Sequence, residues 1–572
     1  LIDFSFGLGD MDIQVLLEKY FDVAFAAPNG IKKLRELILS LAMKGKLVAQ
    51  DPHDVPASKL LKEIEAEKKR LVKDGKIKMS KPLPEIKPDE VPYDLPKSWE
   101  WVRLGDIGET NIGLTYAPSD VSDIGTPVLR SNNVQNGKLD LTDLKRVNKD
   151  IKENVLVQQG DLLICARNGS KALVGKTALI TDLSESMAFG AFMAIFRSRI
   201  NGYLLYFINS PLFRKMIDEV NTMTINQITQ NNLKTTILPL PPLAEQRRIV
   251  AKIDELMARC DELEKLRGNL NQKQITVHNA ALNRLLTAKD QSDFNTAWQF
   301  ITQHFGDLYS VKENVAELRK AILQLAVMGK LVPQDPSDRP ASELLKEIVK
   351  EKERLVKEEK IKKSKSLPSI ESEEIPFRLP NNWQWVRLGE IASKITDGEH
   401  LTPPRIAEGY RLLSAKNIRN GYLDFDNVDF ISEEHYLKSR ERCCPEFNDL
   451  LIVSVGGTIG RSSLVPEDSF FALVRSVAMV KPLLVNSLYL KYSMDSNLLQ
   501  SSIHTRKRGG AQPCLYLSEI EKFLFSLPPL AEQHRIVAKC DRLMTLCDNL
   551  EKQIDENNSK KTNLLNAVMT KV

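Results

Sequence analysis

No stretch of this sequence holds the roughly 20 consecutive apolar residues that a bilayer-spanning helix requires, which excludes a membrane protein. Its seven cysteines (Cys165, Cys260, Cys443, Cys444, Cys514, Cys540 and Cys547) form no Cys-x-x-Cys pair and no disulfide-like framework. That argues against structural zinc, so no metal is expected, and it fits the reducing cytoplasm. The segment 1–14 has acidic residues and no basic stretch ahead of an apolar core, so it does not read as a secretion signal. The chain starts at Leu1 and not at Met, as expected of trimming or of a fragment. Charge imbalance is also small, with 80 basic against 75 acidic residues for a net +5. Any polyanion must therefore be met by local patches. Catalytic signatures are missing as well. The seven histidines take no shared place in the repeat described next, and none sits in a His-Glu-x-x-His or Gly-x-Ser-x-Gly setting.

What is present is a repeat. A chain of 572 residues exceeds a single hydrophobic core and predicts three to five structural units. Residues 34–107 match residues 318–391 without a gap at an offset of 284. A second match, 240–265 against 527–552, has an offset of 287. The blocks between them, about 108–239 and 392–526, differ in length by three residues and diverge in sequence, with echoes such as Asn133-Val134 against Asn417-Ile418. A constant frame thus carries two variable inserts.

The frame reads as helix. Leu34, Ile38, Leu41 and Ala42 follow helical spacing up to Gly45, and the copy from 318 ends at Gly329 in the same way. A second helix is predicted from Ala57, and the proline-bearing stretches 82–96 and 366–380 read as linkers. Trp99 and Trp101, like Trp383 and Trp385, alternate with polar residues in strand fashion at the start of each insert. The inserts themselves read as mixed α and β. Each leaves through Pro241-Pro242 or Pro528-Pro529 into a long predicted helix. Apolar positions Ile249, Ile253, Leu256, Cys260 and Leu263, and again Ile536, Cys540, Leu543, Cys547, Leu550 and Ile554, fall at the 4-3 spacing of a coiled-coil seam. A helix of about 45 residues is a rod of roughly 65 to 70 Å.

Gly169 to Thr177 imitates a phosphate-binding loop but places five residues between its glycines where the loop needs four, and the second copy, Gly456 to Ser462, has no Lys-Thr. A turn between strands accounts for both. Cys443-Cys444 reads as a reduced pair in a loop. What remains is a set of polar and basic residues of the kind that read bases and hold phosphates. In the first insert these are Arg130, Asn132, Asn133, Arg167, Asn168, Ser170, Lys171, Asn226, Gln227, Thr229 and Gln230. In the second they are Lys416, Asn417, Arg419, Arg461, His504, Arg506, Lys507, Arg508 and Gln512, with the run 505–510 suited to following a phosphate backbone.

The doubled frame, the two Leu-Pro-Pro-Leu-Ala-Glu-Gln segments at 240–246 and 527–533 and the divergent inserts resemble the specificity subunit of type I restriction-modification enzymes over nearly the whole chain. The resemblance implies an α+β chain with a pseudo-twofold internal repeat, in which two mixed α/β target recognition domains are separated by an antiparallel helical coiled-coil spacer. It divides the chain into an N-terminal helical region and linker (1–99), a first recognition domain (100–240), a central helical region (241–383), a second recognition domain (384–527) and a C-terminal helix (528–572). It implies a cytoplasmic, non-catalytic subunit that reads an asymmetric bipartite site on double-stranded DNA. Two modification (methyltransferase) subunits and the restriction (translocase/endonuclease) subunits are its implied partners. No cofactor is expected on this chain, with S-adenosylmethionine, ATP and Mg on the partners; the sequence has no Asn/Asp-Pro-Pro-Tyr/Phe methylation motif. Two other readings stay open: a stand-alone enzyme using 169–177 as a nucleotide site, and a coiled-coil scaffold that binds no DNA.

Overall fold

A computed structural model describes residues 26–75, 77, 82–135, 137–220, 226–363, 366–509 and 513–570. The chain forms two compact units. One comprises the residues up to Asn269 together with Glu556–Val572, and the other is Leu270–Asp555. Both boundaries fall inside long helices, Leu243–Leu286 and Leu530–Thr570, so each helix starts in one unit and ends in the other. No helix among the described residues is long and apolar enough to cross a membrane.

The first unit opens with helix Gly30–Met43, which turns its apolar face (Leu34, Leu37, Ile38, Leu41) into the core. It stops at Gly45, whose φ of +68° suits a residue without a side chain, and the Lys46 N–H closes back on the Leu41 carbonyl at 2.9 Å. A Cβ at Gly45 would stand 2.6 Å from Cγ of Pro96, so the linker proline lies directly on the helix end. Helix Ala57–Lys73 follows and buries Ala57, Leu60 and Ile64. The second unit repeats every step: helix Lys312–Val327, Gly329 with φ +69° against Pro380, then helix Ala341–Lys357 burying Ala341, Leu344 and Ile348.

The polar contacts of the frame are duplicated too. Arg103 and Arg387, both buried, donate to linker carbonyls and pair with Glu90 and Glu374 at 2.9 and 2.6 Å, which holds Glu374 down to about 2. Lys68 and Lys352 each donate to a glycine carbonyl, of Gly105 and Gly389, at 2.7 Å. Arg248 and Arg535 hold Asp54 and Asp338 at 2.5 and 2.6 Å. Arg35 reaches Asp261 and Glu264, as Arg319 reaches Asp548 and Glu551, tying helices Gly30–Met43 and Lys312–Val327 to the long helix that starts in the same unit.

Each insert hangs from a two-stranded clasp. Glu100–Arg103 pairs antiparallel with Ile237–Leu240, in register from Glu100 opposite Leu240 to Arg103 opposite Ile237. In the second unit Gln384–Arg387 pairs in the same way with Leu524–Leu527. Beginning and end of an insert are thereby hydrogen-bonded to each other, whatever lies between them. Inside, the first insert has an antiparallel sheet in the order Glu109–Ile112, Met193–Arg197, Leu162–Cys165, Thr177–Leu179. The second has Ala392–Asp397, Val477–Pro482, Leu450–Val453, Ser462–Leu464 in the same order. A smaller sheet with one parallel pair accompanies each (Ala188–Phe189 on Thr126–Leu129; Phe471–Leu473 on Tyr410–Leu413). The central strands are buried on both faces, which is why they read as apolar runs without alternation. Helix Glu433–Arg442 is added in the second insert, where the first has only a short turn at Glu153–Val155.

Seam residues of the long helices are used inside their own units. Ile249, Ile253, Leu256 and Cys260 belong to the first unit's core, and Leu263 is only half-buried. Ile536, Cys540 and Cys547 belong to the second unit's core, with Leu543, Leu550 and Ile554 packed at its edge. Ala281, Leu282 and Leu285 of the first long helix join that second core, and Leu565 and Val568 of the last helix join the first.

Candidate nucleic-acid interface

Beside the turn that joins the third and fourth strands of the antiparallel sheet (Leu162–Cys165 to Thr177–Leu179; Leu450–Val453 to Ser462–Leu464), four chain segments meet in each insert. In the first unit the Ala166 and Arg167 N–H groups both donate to the Phe192 carbonyl (2.9 and 3.0 Å), and the Ile228 N–H donates to Ala166 at 2.7 Å. Arg167 and Gln227 form an isolated β-bridge. Asn168 Nδ2 donates to Ser131 Oγ (3.4 Å), Asn226 Nδ2 to the Gly169 carbonyl (3.2 Å) and Lys176 Nζ to Gln135 Oε1 (3.0 Å). The second unit makes the corresponding bonds with other residues. Ser454 donates to the Ser476 carbonyl (2.9 Å), Leu515 to Ser454 (2.8 Å) and Gly456 to Pro513 (3.0 Å), Val455 bridges Cys514, and the Ala415 N–H donates to Ser476 Oγ at 3.1 Å. Backbone bonds hold most of this rim, so its side chains are free to differ between units.

Sequence-predicted residues from these segments do come together, but not all can read DNA. Asn133 and Asn417 are 1% exposed and do one structural job twice. Each amide donates to two carbonyls further along its loop (Asp140 and Asp143; Asp424 and Asn427), and each Oδ1 accepts the N–H three residues back. They are loop braces, which corrects the base-reading role expected of them. Thr229 caps the short helix Gln230–Thr235 through the Asn232 N–H, and Gln230 donates to the Thr110 carbonyl. The Thr229 hydroxyl is occupied by the cap, and Gln230 is held through its amide nitrogen.

Several cations carry their own carboxylates. Arg130 and Asn132 both donate to Asp143 Oδ2 (3.1 and 2.7 Å), and Lys171 stands 3.2 Å from Asp218, with Ser170 exposed beside it. Lys416 and Arg419 pair with Asp429 and Asp424 at 3.4 and 3.1 Å. The run at 505–510 is not three free charges: Arg506 and Arg508 both face Glu519 (3.2 and 3.9 Å), while Lys507 lies 3.2 Å from His504 Nδ1. Gln512 lies outside the described residues.

Arg167 differs from the carboxylate-paired cations. It is exposed, has no acidic partner among the described residues, and lies over the ring of Phe192 with Cζ 5.6 Å from the centroid. Phe192 is itself 62% exposed. Sequence reading missed this residue because one phenylalanine in the apolar stretch Met187 to Phe196 carries no pattern. It also missed two further exposed or half-exposed cations of the rim, Lys176 and Arg475, the latter without an acidic partner among the described residues. Lys176 and Arg461 share one position, each following a glycine (Gly175, Gly460) that donates to the central strand at 2.9 and 3.0 Å.

The glycine segment 169–177 leads through Gly175 (φ +85°) into strand Thr177–Leu179, whereas a phosphate-binding loop opens a helix. Burial raises the thiols of Cys165, Cys260 and Cys547 and pushes Cys443 and Cys540 up to about 12, so these five are protonated and poor nucleophiles.

A repeated frame presenting two differently furnished rims is the layout of a two-domain recognition subunit. Residues 96–272 and 380–557 match the family described as Type I restriction modification DNA specificity domain. The chain belongs to that family. It is 37% identical over 542 residues to the type I restriction enzyme EcoAI specificity subunit of Escherichia coli, covering 91% of this chain and 90% of that one. With the EcoEI specificity subunit, also of Escherichia coli, identity is 32% over 569 residues, covering 94% and 93%. Among solved structures, a chain of a type I R-M system aligns with a TM-score of 0.48 and 18% identity over 84% of this chain and 98% of that one.

Proposed function

We propose that this chain is the non-catalytic subunit that gives a type I restriction-modification complex its DNA sequence, with the rim of each insert reading one half of a split site. The observation that carries the reading is the pair of rims: one backbone scaffold, furnished with Arg167, Phe192 and Lys176 in one unit and with Arg461, Arg475 and Ser476 in the other. Different side chains on a common scaffold read different bases, so the two half-sites differ. The duplicated frame offers two equivalent surfaces to two modification subunits, with restriction subunits joining them. S-adenosylmethionine, ATP and Mg belong to those partners. The reading places the complex in the cytoplasm, beside the chromosome.

The test is to co-express the chain with its modification subunits and map methylated positions across a genome. A bipartite motif with unlike halves and an unread spacer is expected. A continuous motif, or ATP hydrolysis or DNA methylation by the purified chain alone, would refute the reading.

A further inference from the structure

Resting on that reading, we infer that Arg167, stacked on the exposed ring of Phe192, is the residue by which the first unit reads a guanine in its half-site. A base-reading side chain must reach outward, keep its hydrogen-bonding edge unspent and be held in one direction before DNA arrives. Arg167 meets all three conditions. Its backbone is fixed by the bond to the Phe192 carbonyl at 3.0 Å and by the bridge to Gln227. Its guanidinium is oriented by a ring and not by a carboxylate, so its N–H donors are left for a ligand. Arg130 and Lys171 on the same rim already face Asp143 and Asp218.

The chemistry matching a planar, unspent guanidinium in a DNA groove is the O6/N7 edge of guanine, which accepts two parallel N–H bonds. A phosphate could also accept them, but an exposed aromatic ring beside a phosphate contact gains nothing from the polyanion. Beside a base edge it excludes water and stiffens the arginine. The second unit has Val455 and Ser476 at the corresponding places, so this contact belongs to one half-site only.

The experiment uses the complex with its modification subunits and compares wild type with Arg167→Gln, Arg167→Ala and Phe192→Leu by methylation mapping and by duplex binding at several salt concentrations. Arg167→Gln is expected to move one guanine of one half-site toward adenine, for which a glutamine amide is the matching pair. Arg167→Ala is expected to lower guanine preference there by roughly 5- to 150-fold with the salt slope unchanged. Phe192→Leu is expected to weaken preference at the same base by less. The gained adenine preference is a readout that misfolding cannot imitate. An unchanged motif in the arginine variants overturns the inference while leaving the proposed function standing. So does uniform weakening across sequences with a salt slope smaller by about one, the mark of a phosphate contact. Absence of a bipartite motif in wild type overturns the proposed function and this inference with it.

Discussion

Glu245 and Glu532 show what single residues of the frame do. Each sits in the first turn of a long helix, is buried, and accepts from an indole (Trp99 or Trp383, both 2.9 Å) and from a glutamine (Gln50 at 2.5 Å, Gln334 at 2.6 Å). The neighbouring Gln246 and Gln533 donate back to Pro241 and Pro528. The Leu-Pro-Pro-Leu-Ala-Glu-Gln segment is therefore a latch joining long helix, linker and clasp. Trp99→Phe removes one donor to a buried carboxylate and is expected to cost about 1.5 to 3 kcal/mol, read as a lower denaturant midpoint. A loss under about 0.5 kcal/mol would refute the latch. His278 makes a second residue-scale case. It is buried on the first long helix, with Nε2 3.2 Å from the Tyr309 hydroxyl and Nδ1 without a partner among the described residues. Burial pulls its pKa below the usual histidine value, against a weaker opposing influence from Asn279 and Glu317. The unfolded chain then binds a proton that the folded chain refuses, so stability holds at neutral pH and falls as pH drops below about 6.5. Position 565, its counterpart in the repeat, is leucine. His278→Leu is expected to flatten the fall in melting temperature between neutral and mildly acid pH, and an equally steep fall would contradict the assignment.

Among elements, the glycine ends of the first frame helices are the least replaceable. Gly45→Ala would combine a left-handed backbone with a Cβ 2.6 Å from Pro96. It is expected to cost more than about 1 kcal/mol, measured by thermal unfolding, and a neutral result would refute the cap. Frame helices, their glycine stops and the long helices were legible because every signal occurs twice and helical spacing is strong over many residues. Most insert strands are three or four residues long, too short for a period to register, and their register is set by partners far along the chain. The clasp went unseen for the same reason: Ile237–Leu240 and Leu524–Leu527 are brief apolar runs whose partners lie more than 130 residues away. At the site, residue type located the rim segments, but only packing separates the braces Asn133 and Asn417 from the exposed Arg167 and reveals Phe192. The seam residues illustrate the limit of periodicity, since spacing marks a buried face without naming what covers it. Deleting one heptad from both long helices, at 263–269 and 550–556, is expected to change the unread spacer in the methylated motif. An unchanged spacer would contradict a measuring role for the helices.

For the molecule as a whole, two units with separate cores, one frame and one rim scaffold imply that an insert is a portable reader. Its ends are joined by the clasp, and the strand order of its antiparallel sheet is the same in both units although its sequence is not. The most direct measurement puts the second insert, 392–526, into both units in place of 108–239 and maps the methylated motif of the complex. The account predicts a site whose two halves have the same sequence. A motif that keeps two unlike halves would contradict it.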